Sequence, residues 1–155
     1  MLSDLMRYML YESDEKKVPL SKEIEYLKSY IELQKLRFGN DVLIETNIDF
    51  YEKDTQQNIE PMLLIPFVEN AFKHGISFRD PSQIKVSLEM KNNTLYFDVY
   101  NTKHIRPDND PEKNKSGIGL NNVRQRLLMT YPGKHELIIR ETAKDFFVHL
   151  TIQLT

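Results

Sequence analysis

Two short segments of this 155-residue chain combine residue types that could do chemistry. Residues 65–75 read IPFVENAFKHG and place an acid, an amide and two possible cations on one face of a predicted helix, namely Glu69, Asn70, Lys73 and His74. An amide oxygen is a suitable Mg²⁺ ligand, and a carboxylate beside it can hold a metal-bound water or act as a base. The pattern indicates a metal site with a cation in reach of a phosphate, although an ordinary amphipathic surface helix shows the same pattern.

The second segment, residues 117–127, reads GIGLNNVRQRL and predicts a glycine turn that opens a helix. Gly117 and Gly119 would let the backbone approach a ligand closely, and the helix that follows, with Leu120, would offer free N–H groups to an anion. A lone Gly-x-Gly is a weak signal, because many loops that end at a helix carry glycine. The polar stretch before it, residues 101–116, fits a loop that closes over a ligand. Together the two segments point to an ATP site.

The composition of the chain bounds the classes of protein it can be. With 40% hydrophobic residues it can bury one ordinary core, so we expect one main domain. A net charge of −2 offers no general attraction to nucleic acid or acidic lipid. The absence of cysteine excludes disulfide scaffolds and thiolate metal sites. The N-terminus has no signal-peptide layout and reads as the middle of a helix, which suggests a fragment of a longer protein.

The spacing of apolar residues predicts the elements that must position these segments. We expect helices over 2–11, from a Ser21 cap to Phe38, from Pro61 to Gly75 and over 118–130, and strands over 42–50, 84–90, 95–100, 136–140 and 146–153. A hairpin turn is expected at 91–94. This set of helices and strands predicts an α/β (α+β) two-layer sandwich, in which helices cover one face of a mixed, mostly antiparallel sheet.

The residue sequences of these motifs resemble those of a known protein family. Residues 66–75, PFVENAFKHG, resemble the N box of sensor histidine kinases, and more narrowly the LytS-like branch often paired with LytTR-type response regulators. Residues 117–127 resemble the second glycine box of that branch. Residues 3–8 and 30–38 resemble its linker between the histidine-bearing helix and the ATPase domain. The resemblance covers nearly the whole chain, with its motifs in the right order.

This resemblance implies a fold, a domain division and a set of roles. The fold is the Bergerat ATP-binding fold shared by gyrase, Hsp90, histidine kinases and MutL, with linker helices in 1–38 and the catalytic domain in 39–155. Asn70 would be the Mg²⁺ ligand, with Glu69 beside it. The remaining nucleotide contacts would come from Lys73, His74, Asn101, Gly117, Gly119 and Leu120.

Two departures from the family pattern affect what the chain can do. The family's Asp-x-Gly-x-Gly box, whose aspartate accepts the adenine amino proton, is replaced by Asn101-Thr102-Lys103. Asn101 can still accept through its amide oxygen, whereas Asp98 alternates with apolar residues on a strand and is expected on a solvated face. The phosphate-accepting histidine belongs to an upstream segment that this chain does not contain, and the chain's own histidines (His74, His104, His135 and His149) are poor substitutes. The chain is expected to bind ATP without phosphorylating itself.

The activity implied by the resemblance is transfer of the ATP γ-phosphoryl group to a histidine. The implied partners are ATP, the upstream dimerisation helices of a homodimeric parent and a response regulator of LytTR type, with no nucleic acid. The implied location is the cytoplasmic side of an inner-membrane-anchored sensor. Two alternatives stay open: a degenerate nucleotide-sensing or dimerisation module, motivated by the altered adenine box, and an ATPase of the same fold in which Glu69 activates water.

Overall fold

The computed structural model describes residues 17–48, 50, 56–77, 80–104 and 116–154, with only the backbone for 116–119. The predicted helix over 2–11 and most of the predicted 101–116 loop lie outside these residues. The described elements are β1 (Val18–Pro19), α1 (Leu20–Phe38), a 3₁₀ turn (Gly39–Asp41), β2 (Val42–Ile48), β3 (Asn58–Ile59), α2 (Ile65–His74), β4 (Ser82–Lys91), β5 (Thr94–Thr102), α3 (Ser116–Thr130), β6 (His135–Glu141) and β7 (Asp145–Gln153).

The main sheet has five strands in the order β2-β4-β5-β7-β6. β2 runs parallel to β4, and the other neighbours are antiparallel. The prediction of a mixed, mostly antiparallel sheet with helices is therefore confirmed. β4 and β5 are joined by Asn92 and Asn93, whose φ angles of 49° and 63° fit the two-residue hairpin turn that matches strand twist.

The core lies on one face of this sheet. Along β5, Leu95, Phe97, Val99 and Asn101 are buried, and the residues between them are partly exposed. α2 packs over this buried face on β4 and β5, and the ring of Phe67 meets the ring of Phe97 edge to face at 6.2 Å between centroids. The period-two alternation of β5 thus directs one row of side chains to the helices and the other row away from them.

α1 contacts the rest of the domain through two faces. The first is an apolar face that is buried and consists of Leu20, Ile24, Leu27 and Ile31. On its second face Tyr30 packs edge to face against Phe72 of α2 at 5.8 Å. Part of the second apolar face is therefore covered by α2 within the same chain. In the part of the chain that the structure describes, no helix is long and apolar enough to span a membrane.

Three predicted helix starts are wrong by two to four residues. α1 begins at Leu20 after Pro19, without a side-chain cap, so Ser21 is not the N-cap. The reason is tertiary: β1 pairs with β3, and the backbone N–H of Leu20 donates to the carbonyl of Gln57 at 2.7 Å. α2 begins at Ile65 because residues 61–64 form a turn, and α3 begins two residues early, at Ser116.

Candidate active site

The acid-amide segment forms α2, and its polar face lies away from the sheet. Pro66 occupies the first turn of the helix, where its missing N–H costs nothing. Glu69 and Lys73 are exposed, whereas Asn70 and His74 are half-buried. The amide that the sequence marks as a metal ligand is thus less exposed than the acid beside it.

The charge of Glu69 acts on two tyrosines of α1. Partial desolvation raises the pKa of its carboxyl group above the ordinary value, although the side chain keeps contact with water. Burial, with the charge of Glu69 second, raises the pKa of Tyr30 to about 12. The same two causes raise the pKa of Tyr26. The carboxylate is therefore a stronger base than a fully hydrated one, and it lies close enough to two tyrosines of α1 to perturb them.

The end of α2 meets the end of β5 in a close contact. A Cβ atom placed on Gly75 would lie 2.7 Å from the Cβ of Asn101 and 2.6 Å from the carbonyl oxygen of Ala71. The hydroxyl of Thr102 donates to the Gly75 carbonyl at 3.1 Å. Glycine is required at this position because a Cβ atom would overlap the side chain of Asn101 and the carbonyl oxygen of Ala71.

Asn101 is 1% exposed and lies on the helix-covered side of the sheet. Its Nδ2 donates to the carbonyl of Thr102 at 2.8 Å, which fixes the amide group. Asp98 is on the opposite side, paired with His149. Of the two residues considered for the adenine contact, Asn101 lies beside the acid-amide helix and Asp98 does not.

A small hydrogen-bond network lies where the end of α2 meets the end of β5. The hydroxyl of Ser82, which is 5% exposed, accepts from the N–H of Ser77 at 2.9 Å and lies 3.1 Å from Nε2 of His104. The hydroxyl of Thr102 accepts from the N–H of Gln83 at 3.2 Å. The network ties the segment after α2 to the first residues of β4 and the last of β5. Sequence reasoning assigned His104 to the loop and did not identify this role.

The glycine segment lies in the first turn of α3. Because the helix begins at Ser116, Gly117 and Gly119 belong to the helix and not to a turn before it. Leu120 is half-buried and packs against the core, and α3 packs against α2. The fold therefore brings the two helices of the predicted site into contact, and the first turn of α3 holds backbone N–H groups that a helix leaves unbonded.

Two charged residues to which the sequence motifs give no role hold the turn that precedes α2. Arg126 on α3 donates to the carbonyls of Pro61 and Met62, and Glu23 on α1 accepts from the N–H of Met62. Glu23 is 1% exposed. An acid beside the apolar stripe of α1 was the available signal for Glu23, whereas Arg126 lies within the 117–127 motif without any pattern that gives its partner.

A magnesium ion at Asn70 would be held by few protein atoms. Within the described ranges, no group of three or more histidine, cysteine, aspartate or glutamate residues could hold a metal ion. Mg²⁺ commonly keeps several waters and takes phosphate oxygens with one or two protein ligands. A half-buried amide beside a carboxylate fits that kind of site, and it would not suit a metal held by a complete protein cage.

Comparison with known proteins gives consistent results. A family model described as "Histidine kinase" matches residues 1–42. The sensor protein LytS of Oceanobacillus iheyensis is 30% identical over 163 residues, covering 97% of this chain and 28% of LytS. The sensor histidine kinase BtsS of Escherichia coli is 28% identical over 138 residues, covering 88% of this chain and 24% of BtsS. The chain therefore spans about a quarter of the length of the curated relatives it matches.

Solved structures agree on the fold. The catalytic domain of histidine kinase ThkA has a TM-score of 0.62 at 15% identity, covering 90% of this chain and 97% of that domain. The histidine kinase domain of the blue-light activated EL346 protein of Erythrobacter litoralis has a TM-score of 0.62 at 18% identity, covering 99% of this chain and 71% of that one. At these identities the likeness establishes the arrangement of elements.

Proposed function

Because the chain belongs to the LytS-like branch of the sensor histidine kinases, we propose that it is the ATP-binding catalytic part of such a kinase. The observation that carries the proposal is the contact of Gly75 with Asn101, since it joins the end of the acid-amide helix to the strand end where the adenine contact is expected. The activity is transfer of the γ-phosphoryl group of ATP to a histidine of upstream dimerisation helices.

The positions of the residues support the role proposed for each. The half-buried amide of Asn70 presents an oxygen to a magnesium ion, which when bound neutralises phosphate charge. Glu69, whose pKa is raised by desolvation, orients the metal's water or the incoming imidazole. A neutral imidazole already has a lone pair, so no strong base is needed. Lys73 and His74 follow one turn later and would contact phosphate; Lys73 is exposed, whereas Nε2 of His74 is buried.

Recognition of the nucleotide involves the end of β5 and the first turn of α3. Asn101 accepts the adenine amino proton through Oδ1, while its Nδ2 stays bonded to Thr102. The first turn of α3, with Gly117, Gly119 and Leu120, offers its N–H groups and the positive end of the helix dipole to the phosphates. Catalysis in phosphoryl transfer rests largely on such positioning and on charge stabilisation.

The test is calorimetric titration of the chain with a non-hydrolysable ATP analogue, with and without Mg²⁺. We expect saturable binding that Mg²⁺ strengthens, and loss of that strengthening in Asn70→Ala. The matched control is Asn47→Ala, which removes an exposed amide from β2. Binding by Asn70→Ala that responds to Mg²⁺ as in the unchanged chain would contradict the metal role.

The alternatives give different outcomes in the same preparations. No binding at millimolar nucleotide would favour a degenerate sensing or dimerisation module, consistent with Asn101 in place of aspartate. Steady phosphate release from ATP, abolished in Glu69→Gln, would favour an ATPase, for which the raised pKa of Glu69 is suited.

The partners of the whole protein extend the same proposal. We place this chain on the cytoplasmic side of a membrane-anchored homodimer that passes its phosphoryl group to a LytTR-type response regulator. Support comes from the relatives named as sensor proteins and from the solved complex of histidine kinase ThkA with the response regulator TrrA. Phosphoryl transfer from a longer parent to a panel of purified regulators would identify the partner.

A further inference from the structure

The turn before α2, residues 60–64, is held in place from two sides. From α1, the buried carboxylate of Glu23 accepts a hydrogen bond from the N–H of Met62. From α3, Arg126 donates to the carbonyl of Met62 at 3.1 Å and to that of Pro61 at 2.6 Å. Met62 therefore has its N–H bound to one helix and its carbonyl bound to another.

The same turn has a backbone conformation that an ordinary residue rarely adopts. Met62 has a φ of 63°, in the left-handed region that favours glycine. Such a residue persists only where its surroundings over-determine its conformation. Here the groups that fix the conformation of Met62 are the Glu23 carboxylate and the Arg126 guanidinium. The planar guanidinium can donate to two adjacent carbonyls at once.

Further contacts join the turn to α3 and its end. Nη2 of Arg126 lies 3.3 Å from a carboxylate oxygen of Glu60. The N–H of Glu60 donates to the hydroxyl of Tyr131 at 2.9 Å, and Tyr131 is 2% exposed. Leu63 and Leu64, the last two residues of the turn, are fully buried. The start of α2 therefore cannot shift without breaking contacts to α1 and α3.

We propose that Glu23 and Arg126 are positioning residues that fix α2, with Asn70 and Glu69, relative to the first turn of α3. This inference rests on the proposed nucleotide site between these helices. Its consequence is that the nucleotide affinity depends on the docking of α1, because Glu23 is the α1 group bonded to the 60–64 turn. Neither residue needs to touch ATP or the metal.

The test compares Arg126→Gln with Arg126→Lys, and Glu23→Leu with Glu23→Gln, in the full 155-residue chain. Gln at position 23 keeps an oxygen that can accept from Met62, and Lys at position 126 keeps one donor group. We expect the two disruptive variants to bind the Mg²⁺-loaded ATP analogue about 10- to 100-fold more weakly, as is common for groups that orient a metal ligand. The two conservative variants should recover part of that affinity.

A matched control separates positioning from general stability. Val123→Ala removes buried volume from α3, because Val123 is 3% exposed, yet it leaves the charged contacts to the 60–64 turn intact. Titrations are made well below each melting temperature. The proposal is overturned if Val123→Ala weakens binding as much as Arg126→Gln at an equal loss of melting temperature, or if the disruptive variants bind normally.

Hydrogen exchange without nucleotide tests the inference independently of the proposed function. Amides of residues 65–74 should exchange faster in Arg126→Gln and Glu23→Leu than in Val123→Ala of similar stability. If the unchanged chain binds no nucleotide, the proposed function fails, and the exchange data still decide whether these residues position α2. Unchanged protection of α2 in both disruptive variants would overturn the positioning role.

Discussion

The two faces of strand β5 differ in how deeply their side chains are buried. One face presents Phe97, Val99 and Asn101 to the helices, all at most 2% exposed. The other presents Tyr96, Asp98 and Tyr100, which are partly exposed. On the first face each side chain is packed among buried neighbours, and on the second the contacts are an ion pair, a hydrogen bond and a cation over a ring, which water can replace.

This difference in burial indicates which contacts keep the candidate site rigid. Asn101 is the last inward-facing residue of β5, so the packing that holds Phe97 and Val99 also holds the polar residue at the strand end. The outward row includes Asp98 paired with His149 and Tyr100 near Lys85, with 6.0 Å from the Lys85 Nζ to the ring centroid. Substitutions on the two faces should therefore have very different effects.

The largest effect is expected from Phe97→Ala. It would leave a cavity against Phe67 and cost about 3–5 kcal/mol of unfolding free energy. Tyr96→Ala, one residue away on the outward face, should cost clearly less because Tyr96 is partly exposed. Urea denaturation of both variants measures the difference, and equal losses would show that the two faces are not distinct.

Asn101→Asp should come next, at about 3 kcal/mol, the upper part of the range for a buried group that loses its partner. The variant restores the residue type of the family's adenine box, but it replaces the Nδ2 donor to the Thr102 carbonyl with a buried carboxylate. Burial would raise the pKa of the new carboxyl group, so the loss should shrink as the pH falls from that raised pKa toward the ordinary aspartate range. A pH series of melting curves checks both the size and the sign.

Gly75→Ala should cost about 2 kcal/mol, since the new Cβ overlaps Asn101 and the Ala71 carbonyl. It should also weaken nucleotide binding by displacing the strand end from α2. The control is Gly133→Ala, which has open space around the Cβ but a φ of 70°, so it is strained without touching the site. Both variants should melt earlier in calorimetry, and only Gly75→Ala should lose nucleotide affinity.

The smallest effect is expected from Asp98→Asn on the outward face. The pair with His149 is partly exposed, and such pairs contribute about 0.2–1 kcal/mol. Nucleotide affinity should not change, because the pair lies on the face turned away from α2. A loss above that range, or any change in affinity by titration, would mean that the outward face supports the site.

Much of this architecture could be predicted from local patterns. The alternation in residues 84–90 and 95–100 predicted β4 and β5, and the turn between them followed from Asn92 and Asn93. Expected and observed helix ends agree where the signal is local, as at Phe38 before glycine. These features depend on neighbours in sequence, which a single chain displays.

What was missed depends on distant partners. β1 and β3 have two residues each, too few to show a period, and they exist because they pair with each other. α2 begins later than expected because Glu23 and Arg126 form hydrogen bonds with Met62 in the preceding turn. These three residues are far apart in the sequence. In the site, residue types and their helices were foreseeable, whereas the contact of Gly75 with Asn101 required the resemblance to a family and then the structure.

The sheet topology also sets an order of assembly. β4 and β5 close through two turn residues, and β6 and β7 through residues 142–144, so both hairpins form at little loop-closure cost. β2 must instead reach β4 in parallel across residues 49–81, and it brings α1 with it. Contacts between distant parts of a chain form slowly. We expect α1 and β2 to dock last during folding and to detach first under mild denaturant, while the antiparallel strands remain assembled.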